Sequence, residues 1–224
     1  VYDAVLEISQ PGFSCRLDSY AIIGFGGANA VIKKNKVLIF NFTQIEISPG
    51  DEIEVGNFLA GSILYLGIKG GFQTPKILDS RSQYEGISDS RFLKKTNKLP
   101  FFTQHDYQEK SNSKVKMDFH RLENPILTTY PGAEFQFLSH EEKQKLTSTE
   151  FTVSALSNRM AFQLEELFPN DIKEMLTASV YPGTVQLTSG GKVIVLMADA
   201  QVTGGYPRIL QLSPEAISLL AQKK

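Results

Sequence analysis

The sequence predicts a mainly β protein with a few helices, built as two tandem β domains of related design. Apolar and polar residues alternate with a period of two through much of the first third of the chain, as in half-buried strands. Short apolar runs elsewhere end at glycine or proline, which favours strands and turns over long helices. The order of turns and strands also returns after roughly 120 residues, a period too long for a solenoid.

The composition is that of an ordinary globular protein, and it excludes several classes of function. The 224 residues have a net charge of −1 with scattered Lys and Arg, so a nucleic-acid-binding surface is not predicted. No apolar run reaches about 18 residues, so no membrane span is predicted either. The single cysteine, Cys15, excludes an intramolecular disulfide and favours a reducing compartment, so we expect a cytoplasmic protein.

The first predicted domain consists of short strands separated by turns. Residues 48–51, Ser-Pro-Gly-Asp, predict a tight turn, because proline presets φ and glycine accepts a positive φ. The predicted strands are Ala4–Ile8, Tyr20–Ile23, Val37–Ile47, an alternating stretch through Ile53 and Val55, and Ser62–Ile68.

The turns of the first domain have counterparts later in the chain. Pro49-Gly50 and Gly70-Gly71 enclose strands in the same order as Pro182-Gly183 and Gly204-Gly205 do. Chance recurrence of glycine turns is the alternative explanation. The predicted bounds are residues 1–86 for the first domain, 87–114 for a polar linker or set of loops, and 115–224 for the second domain.

The second domain is predicted to combine strands with most of the helices. The apolar run Val193–Met197 is long enough for one buried strand and too short for a core helix. Leucine, glutamate and phenylalanine predict a helix near Phe162–Phe168. Two further helices are predicted at Ser139–Leu146 and Ser213–Gln222, and the second of these opens with a serine N-cap followed by proline.

The stretch Val195–Ile209 has the residues expected at the rim of a site. Its apolar strand ends at Asp199, and the polar residues Gln201 and Thr203 follow. Gly204-Gly205 then precede Tyr-Pro-Arg. Paired glycines let backbone N–H groups approach a ligand closely, and proline stiffens the chain beyond them. The alternative is a strand followed by an ordinary glycine turn.

A second polar group, Ser157-Asn158-Arg159, follows another predicted strand. Asparagine offers a donor and an acceptor, arginine a bidentate fork for a carboxylate or phosphate, and Asp199 an acceptor or a base. These residues are equally consistent with a structural cluster that ties loops together. The P-loop, dinucleotide-binding and serine-elbow motifs are absent from the sequence, and its histidines lack the spacing of a metal site, so no metal is predicted.

Three segments of the second half resemble one known family. They are Ser157-Asn158-Arg159-Met160, Tyr181-Pro-Gly183-Thr-Val-Gln186 and, above all, Leu196-Met-Ala-Asp199-Ala-Gln201-Val-Thr203-Gly204-Gly205-Tyr206-Pro207. They resemble the biotin-dependent carboxyltransferase-type subunits, which include allophanate hydrolase subunit 2, KipA and the 5-oxoprolinase C subunit. The resemblance is loose from Ala4 to Gly86 and specific from Pro131 to Gln222. It implies a fold of two cyclophilin-like β-barrel domains.

The chain departs from the family's pattern in three places. The family's N-terminal segment is absent, so the first domain is expected to be truncated and incomplete. Ala161 stands where a glycine usually follows Asn-Arg-Met, and the closing strand after Leu-Ala-Gln is also absent.

The resemblance implies an enzyme subunit of 5-oxoprolinase type, which hydrolyses 5-oxoproline to glutamate with ATP and is inactive without its companion subunits. ATP is used by the complex, whose other expected members are a KipI-like companion subunit and a lactam-utilisation subunit. Two alternatives stay open. One is a carboxyltransferase that moves a carboxyl group from carboxybiotin, carried by another protein, to urea or another amide. The other is a non-catalytic KipA-like regulator that binds a KipI-like inhibitor.

The implied site binds a small carboxylate or amide substrate. Asp199 would orient or deprotonate a substrate N–H, Arg159 would bind a carboxylate, and the glycine amides would hold an oxyanion. The expected catalytic residues are Asp199, Gln201 and Arg159. The expected substrate-binding residues are Asn158, Thr203, Gly204, Gly205 and Tyr206.

Overall fold

A computed structural model describes residues 3–84, 86–88, 92–104, 115–172 and 175–223. The chain divides into two compact units, Val1–Glu123 (unit 1) and Asn124–Lys224 (unit 2). Unit 1 thus includes residues 115–123, which the sequence analysis assigned to the second domain. The domain bounds inferred from the sequence stay a prediction.

Unit 1 is an antiparallel sheet organised around two long strands. Its elements are β1 (Leu6–Ile8), β2 (Phe13–Arg16), β3 (Ala21–Lys34), β4 (Val37–Ile39), β5 (Ile45–Ile47), β6 (Glu52–Ile68) and a short helix, α1 (His120–Glu123). β3 and β6 pair from Ile23↔Ile68 to Lys34↔Ile53, with register shifts near the middle. The remaining strands pair along these two, in the order β1-β6-β3-β4, while β2 pairs with β6 and β5 with β3.

The core of unit 1 follows from alternation along the two long strands. Every second residue at the ends of β6 is buried, and the same holds for much of β3. The buried side chains form one apolar cluster, which includes Ile23, Phe25, Ile32, Ile53, Val55, Leu64 and Leu66. Cys15 packs against this cluster, and burial raises the pKa of its thiol to about 11, as expected of a core residue.

The turns of unit 1 confirm one prediction and correct another. Gly50 has a φ of 92°, as the Ser-Pro-Gly-Asp turn requires. The prediction of one strand over Val37–Ile47 is wrong, because the stretch forms two separate strands, β4 and β5, with a turn between them. Phe42 takes a φ of 57° there, and its N–H donates to the Phe25 carbonyl. The predicted alternation holds within β5, where Ile45 and Ile47 are buried and Glu46 is exposed, but it does not extend across the break.

Unit 2 is a five-stranded antiparallel sheet with a two-stranded ribbon beside it. Its elements are β7 (Thr129–Pro131), a 3₁₀ turn (Phe135–Phe137), α2 (His140–Ser148), β8 (Ala161–Leu167), β9 (Ala178–Ser179), β10 (Thr184–Leu187), β11 (Lys192–Leu196), β12 (Thr203–Gly204), β13 (Arg208–Leu212) and α3 (Pro214–Leu220). The sheet order is β7-β13-β10-β11-β8, and β12 pairs with β9 to form the ribbon.

The helix predicted near Phe162–Phe168 is wrong, because this segment is the strand β8. β8 pairs antiparallel with β11, with Phe162 opposite Val195 and Ala161 opposite Leu196. Phe162 and Leu164, two residues apart, both pack against the core of unit 2. Cross-strand pairing and burial have overridden the helix preference of leucine and glutamate.

The other two predicted helices are confirmed, and their first turns show why. Ser139 caps α2 with a complete capping box, in which its hydroxyl accepts from the Glu142 N–H and the Glu142 carboxylate accepts from the Ser139 N–H. Ser213 caps α3 by accepting from the Ala216 N–H, with proline in the first turn. Leu220 of α3 is buried in the core of unit 2.

The mainly β class with a few helices is confirmed. In the part of the chain that the structure describes, the two larger sheets are open, with no ring of pairings that closes a barrel. The predicted equivalence of the two Gly-Gly turns is not matched by their backbones: Gly70 and Gly71 have φ values of 81° and 69°, whereas Gly204 lies in β12. Among the described residues no helix is long and apolar enough to span a membrane.

Candidate functional site

The end of β11 and the start of β8 bring together two predicted site residues that are 40 positions apart in the sequence. Backbone hydrogen bonds continue beyond the paired strands: the Met197 N–H donates to the Met160 carbonyl and the Asp199 N–H to the Arg159 carbonyl. The two chain segments therefore run side by side past the edge of the sheet. Arg159 and Asp199 lie directly opposite each other as a result.

Arg159 and Asp199 form a bidentate ion pair. Arg159 Nε lies 2.7 Å from Asp199 Oδ2, and Nη2 lies 3.3 Å from Oδ1. About half of the arginine side chain is exposed (51%), against 27% for the aspartate. An ion pair this open contributes only about 0–1 kcal/mol to stability, so the fold does not depend on it.

Asn158 has a local structural role beside this pair. Its side-chain oxygen accepts hydrogen bonds from the Met160 N–H at 2.8 Å and the Ala161 N–H at 3.2 Å. This arrangement is an Asx turn, in which the side chain replaces a backbone acceptor. The side-chain oxygen of Asn158 therefore has a structural role, because it shapes the bend that carries Arg159.

Gly204 lies on the ribbon strand β12, and Gly205 follows directly after it. Thr203 pairs with Ser179 and Gly204 with Ala178, and the Gly205 carbonyl accepts from the Met175 N–H at 3.2 Å. A Cβ on Gly204 would approach the amide nitrogen of Gln186 to 2.6 Å. A side chain here would displace the Gln186 amide, so this glycine serves close packing rather than an ordinary glycine turn.

The remaining predicted residues are at the surface. Gln201 and Thr203 are exposed, and 39% of Tyr206 is accessible to solvent. The Tyr206 carbonyl accepts from Gln186 Nε2 at 3.4 Å, while Gln186 itself is buried in β10. The structure thus presents the motif as an outward-facing surface supported from below by one buried amide.

A second ion pair in unit 2, Glu134–Arg208, was missed by the sequence analysis. Arg208 Nη2 lies 2.7 Å from Glu134 Oε1, Nε lies 2.8 Å from Oε2, and the Arg208 backbone N–H also donates to Oε2 at 2.9 Å. The side-chain hydrogen bond from Arg208 lowers the pKa of Glu134, and that from Glu134 raises the pKa of Arg208. The pair is therefore charged at neutral pH.

Of the two residues in this second pair, only Arg208 lies beside a motif that stands out in the sequence. Arg208 directly follows the Gly-Gly-Tyr-Pro string, but no role is predicted for it there. Glu134 lies 74 residues earlier, next to a Pro-Gly turn, and nothing in its local sequence distinguishes it from a surface glutamate. Its burial depends on the docking of the 3₁₀ turn against β13.

The described residues contain no group of three or more His, Cys, Asp or Glu side chains placed to hold a metal ion. The chemistry available at the motif is therefore that of a carboxylate, a guanidinium, side-chain amides and backbone N–H groups. Such a set can bind a carboxylate and an amide, and can orient or accept a proton.

Comparison with known proteins identifies one family, and two curated relatives share a single name. The family model described as "Carboxyltransferase domain, subdomain A and B" matches residues 2–224. The 5-oxoprolinase C subunit of Haemophilus influenzae is 29% identical over 191 residues, which cover 82% of this chain and 60% of that protein. The protein of the same name from Escherichia coli K12 is 26% identical over 224 residues, covering 97% of this chain and 71% of that protein.

Solved structures share the fold at lower identity. TTHA0988 superposes with a TM-score of 0.75 at 21% identity, over 98% of this chain and 43% of that one. The K. lactis urea amidolyase gives a TM-score of 0.74 at 19% identity, over 98% of this chain and 15% of that one. This chain is therefore similar to one part of longer proteins.

Proposed function

Because this chain belongs to the carboxyltransferase domain family, subdomains A and B, we propose that it is a subunit of a 5-oxoprolinase-type complex. The complex hydrolyses the lactam 5-oxoproline to glutamate with ATP. The chain acts together with companion subunits and is inactive alone. The names of the two curated relatives support this proposal, since both are C subunits of 5-oxoprolinase.

The single observation that carries the proposal is the ion pair between Asp199, in the longest motif, and Arg159, in the Ser157–Met160 segment. The substrate 5-oxoproline has a carboxylate, a lactam N–H and a lactam carbonyl. Arg159 is suited to bind the carboxylate through its planar fork, and Asp199 to accept a hydrogen bond from the N–H. Such a ligand offers Arg159 a carboxylate and Asp199 a hydrogen-bond donor, so each side chain keeps a hydrogen-bond partner when the pair opens.

The other predicted residues complete this arrangement. Hydrolysis adds water across the lactam C–N bond, and negative charge develops on the carbonyl oxygen before the bond breaks. We propose that the Gly205 N–H donates to this oxygen, since the Gly204 N–H is used in the ribbon pairing with Ala178. Gln201, Asn158, Thr203 and Tyr206 would contact the substrate from the exposed side of the motif.

Arg208 is enclosed in its pair with Glu134, and the more open Arg159 is assigned above to the substrate carboxylate. Neither arginine then remains for the phosphates of a nucleoside triphosphate. We therefore propose that ATP is held by another member of the complex. The proposed members are a KipI-like companion subunit and a lactam-utilisation subunit, acting in the cytoplasm.

The second candidate is a carboxyltransferase that moves a carboxyl group from carboxybiotin to urea or another amide. The observation that favours it is the shared fold with urea amidolyase and urea carboxylase from K. lactis. In this reaction Asp199 would hold the acceptor amide by its N–H, so the two candidates use the same residue on different acceptors. Biotin would be carried by another protein.

The test is a reconstitution of the chain with its companion subunits. Wild-type complex should consume 5-oxoproline and release glutamate only when ATP is present. Asp199→Asn keeps the shape of the side chain and removes its charge, so activity should fall by about 10²-fold, the scale of a lost acid–base group. The unfolding midpoint should hardly move, because the ion pair is exposed.

The matched control is Asp18→Asn in unit 1. Asp18 forms an exposed ion pair with Arg16 at 3.2 Å, so this variant loses a similar interaction away from the motif. It should retain full activity. Full activity in Asp199→Asn would remove Asp199 from the site, and carboxylation of an amide without 5-oxoproline consumption would favour the second candidate.

A further inference from the structure

The Glu134–Arg208 ion pair is more enclosed than a pair needed only for stability. Only 11% of the Glu134 side chain and 23% of the Arg208 side chain are exposed. Removing two charges from water carries a desolvation penalty that their attraction often fails to offset. Replacing a buried ion pair by apolar residues of similar size is often neutral or stabilising, so the geometry that this pair imposes needs a separate explanation.

Arg208 connects three segments of unit 2 through one guanidinium. Its Nε and Nη2 bind Glu134, which precedes the 3₁₀ turn, and its Nη1 donates to the Ser179 carbonyl on β9 at 3.1 Å. Ser179 in turn pairs with Thr203 on β12. The Arg208 side chain therefore contacts one strand of the ribbon directly, and the strand paired with it carries Gly204.

The segment from Gly204 to Tyr206 is tied at both ends as a consequence. At one end the ribbon pairing holds Thr203, and at the other Arg208 is fixed by its backbone and side-chain bonds to Glu134. The backbone adds a return bond, in which the Glu134 N–H donates to the Arg208 carbonyl at 3.1 Å. Gln186 supports the segment from beneath through the Tyr206 carbonyl.

We propose that the buried Glu134–Arg208 ion pair is a positioning device that holds the Gly204-Gly205-Tyr206 segment in its binding arrangement, an inference that rests on the function proposed above. Glu134 and Arg208 touch no substrate and act through the segment they hold. Fixed N–H groups stabilise a developing charge because they need no rearrangement at the moment of reaction. Small displacements of such groups are costly, since a shift of about 1 Å can reduce the rate roughly 10²-fold.

The first test measures the segment itself, by hydrogen–deuterium exchange on the full chain carrying Glu134→Gln. Peptides covering residues 177–180 and 202–208 should exchange roughly tenfold faster, because a charge-assisted hydrogen bond has been lost locally. Peptides from β8, β11 and unit 1 should be unchanged. Unchanged exchange at 202–208, or faster exchange throughout unit 2, would overturn the proposal.

The matched control is Glu166→Gln on β8. The Glu166 carboxylate accepts two hydrogen bonds from Thr152, each at 2.7 Å, so this variant removes a comparable interaction from the same unit. β8 pairs with β11 and not with the ribbon or β13. Exchange at 202–208 should therefore stay at the wild-type rate, and faster exchange there would count against the proposal.

The second test uses the reconstituted complex and Arg208→Lys, which keeps the charge but loses the planar fork. We expect kcat to fall about 10- to 100-fold with little change in KM, because geometry rather than charge is lost. Full activity would overturn the positioning role. If the Glu134→Gln variant fails to fold, Arg208→Lys takes its place in the exchange experiment. If the wild-type complex does not hydrolyse 5-oxoproline, the proposed function fails, while the exchange data still decide whether the pair holds the segment.

Discussion

At the residue scale, the polar groups around the motif differ in how far they are buried. Arg159 and Asp199 form an open pair, which we propose a substrate replaces, whereas Glu134 and Arg208 form an enclosed pair, which we propose holds the backbone. Gln186 is buried beneath the motif and Gln201 is exposed above it. The difference in burial separates residues suited to bind a substrate from those suited to hold the chain.

Asn158 is assigned both a structural role in the turn and a proposed role in substrate binding. Two substitutions separate the two roles. Asn158→Asp keeps the oxygen that accepts from Met160 and Ala161, so thermal unfolding should match the wild type. Asn158→Ala removes this oxygen and should cost about 1 kcal/mol in free energy of unfolding. Because substrate binding would use the amide donor, Asn158→Asp should lower the activity of the complex about tenfold. Unchanged activity would restrict Asn158 to the turn.

At the element scale, tight turns hold the long strands of unit 1 in register. Asp51 joins the turn before β6 to the turn after β3, since it accepts from Asn35 Nδ2 at 2.6 Å, from the Ser48 N–H at 2.7 Å and from Lys34 Nζ at 2.8 Å. Asn35 and Lys36 both have positive φ, a conformation that these bonds help to hold. Burial alone would raise the pKa of Asp51, but the bonds from Lys34, Ser48 and Asn35 lower it to about 2.

This lowered pKa predicts an acid-dependent loss of stability in unit 1. A carboxyl group whose pKa is lower in the folded state stabilises the protein fully above its unfolded pKa, and this contribution is lost as pH falls through the folded value. The loss should therefore occur between about pH 4 and pH 2. Asp51→Asn should cost roughly 2 kcal/mol near neutral pH and should flatten the pH dependence in that window.

Denaturant titrations of both proteins from pH 7 to pH 2, monitored by exchange in unit 1 peptides, provide the measurement. Glu166→Gln serves as the control, because Glu166 lies in unit 2 and should leave the unit 1 profile unaltered. An Asp51→Asn profile that keeps the wild-type slope below pH 4 would assign the acid sensitivity to other carboxylates.

At the scale of the whole molecule, each unit has its own apolar cluster, and distant segments meet around it. In unit 2 the start of the unit lies against β13, where the Gly132 N–H donates to the Ile209 carbonyl and the Glu134 N–H to the Arg208 carbonyl. The two segments approach closely at Gly132, where an added Cβ would collide with the Arg208 carbonyl oxygen. Glycine permits this approach because it lacks a side chain.

Gly132→Ala should therefore destabilise unit 2 by about 2–3 kcal/mol, since backbone atoms of β13 must move to accept the methyl group. The measurement is the denaturant midpoint together with exchange in peptides of β13. Gly190→Ala is the matched control, because the nearest atom to its Cβ is the Thr188 hydroxyl oxygen at 3.9 Å. If both variants have the same midpoint, the close packing of Gly132 is not important for stability.

Several features of this protein were determined by the sequence alone. The helices α2 and α3 were predictable because their caps, Ser139 and Ser213, act within three residues. The buried strand β11 followed from an apolar run, and the family from the motif around Asp199. The sequence also grouped Asp199 with Arg159, either in a site or in a structural cluster, and the structure brings the two side chains together.

Other features were decided only by the tertiary structure. β8 is a strand because it pairs with β11, although its leucines and glutamates favour a helix locally. The enclosed partner of Arg208 is Glu134, 74 residues away, and the support beneath Tyr206 is Gln186 on another strand. Local preferences act over a few residues, whereas burial and ion pairing depend on which segments are brought together by the sheet. That distance in the chain is the physical reason why the residues that hold the motif were not apparent in the sequence.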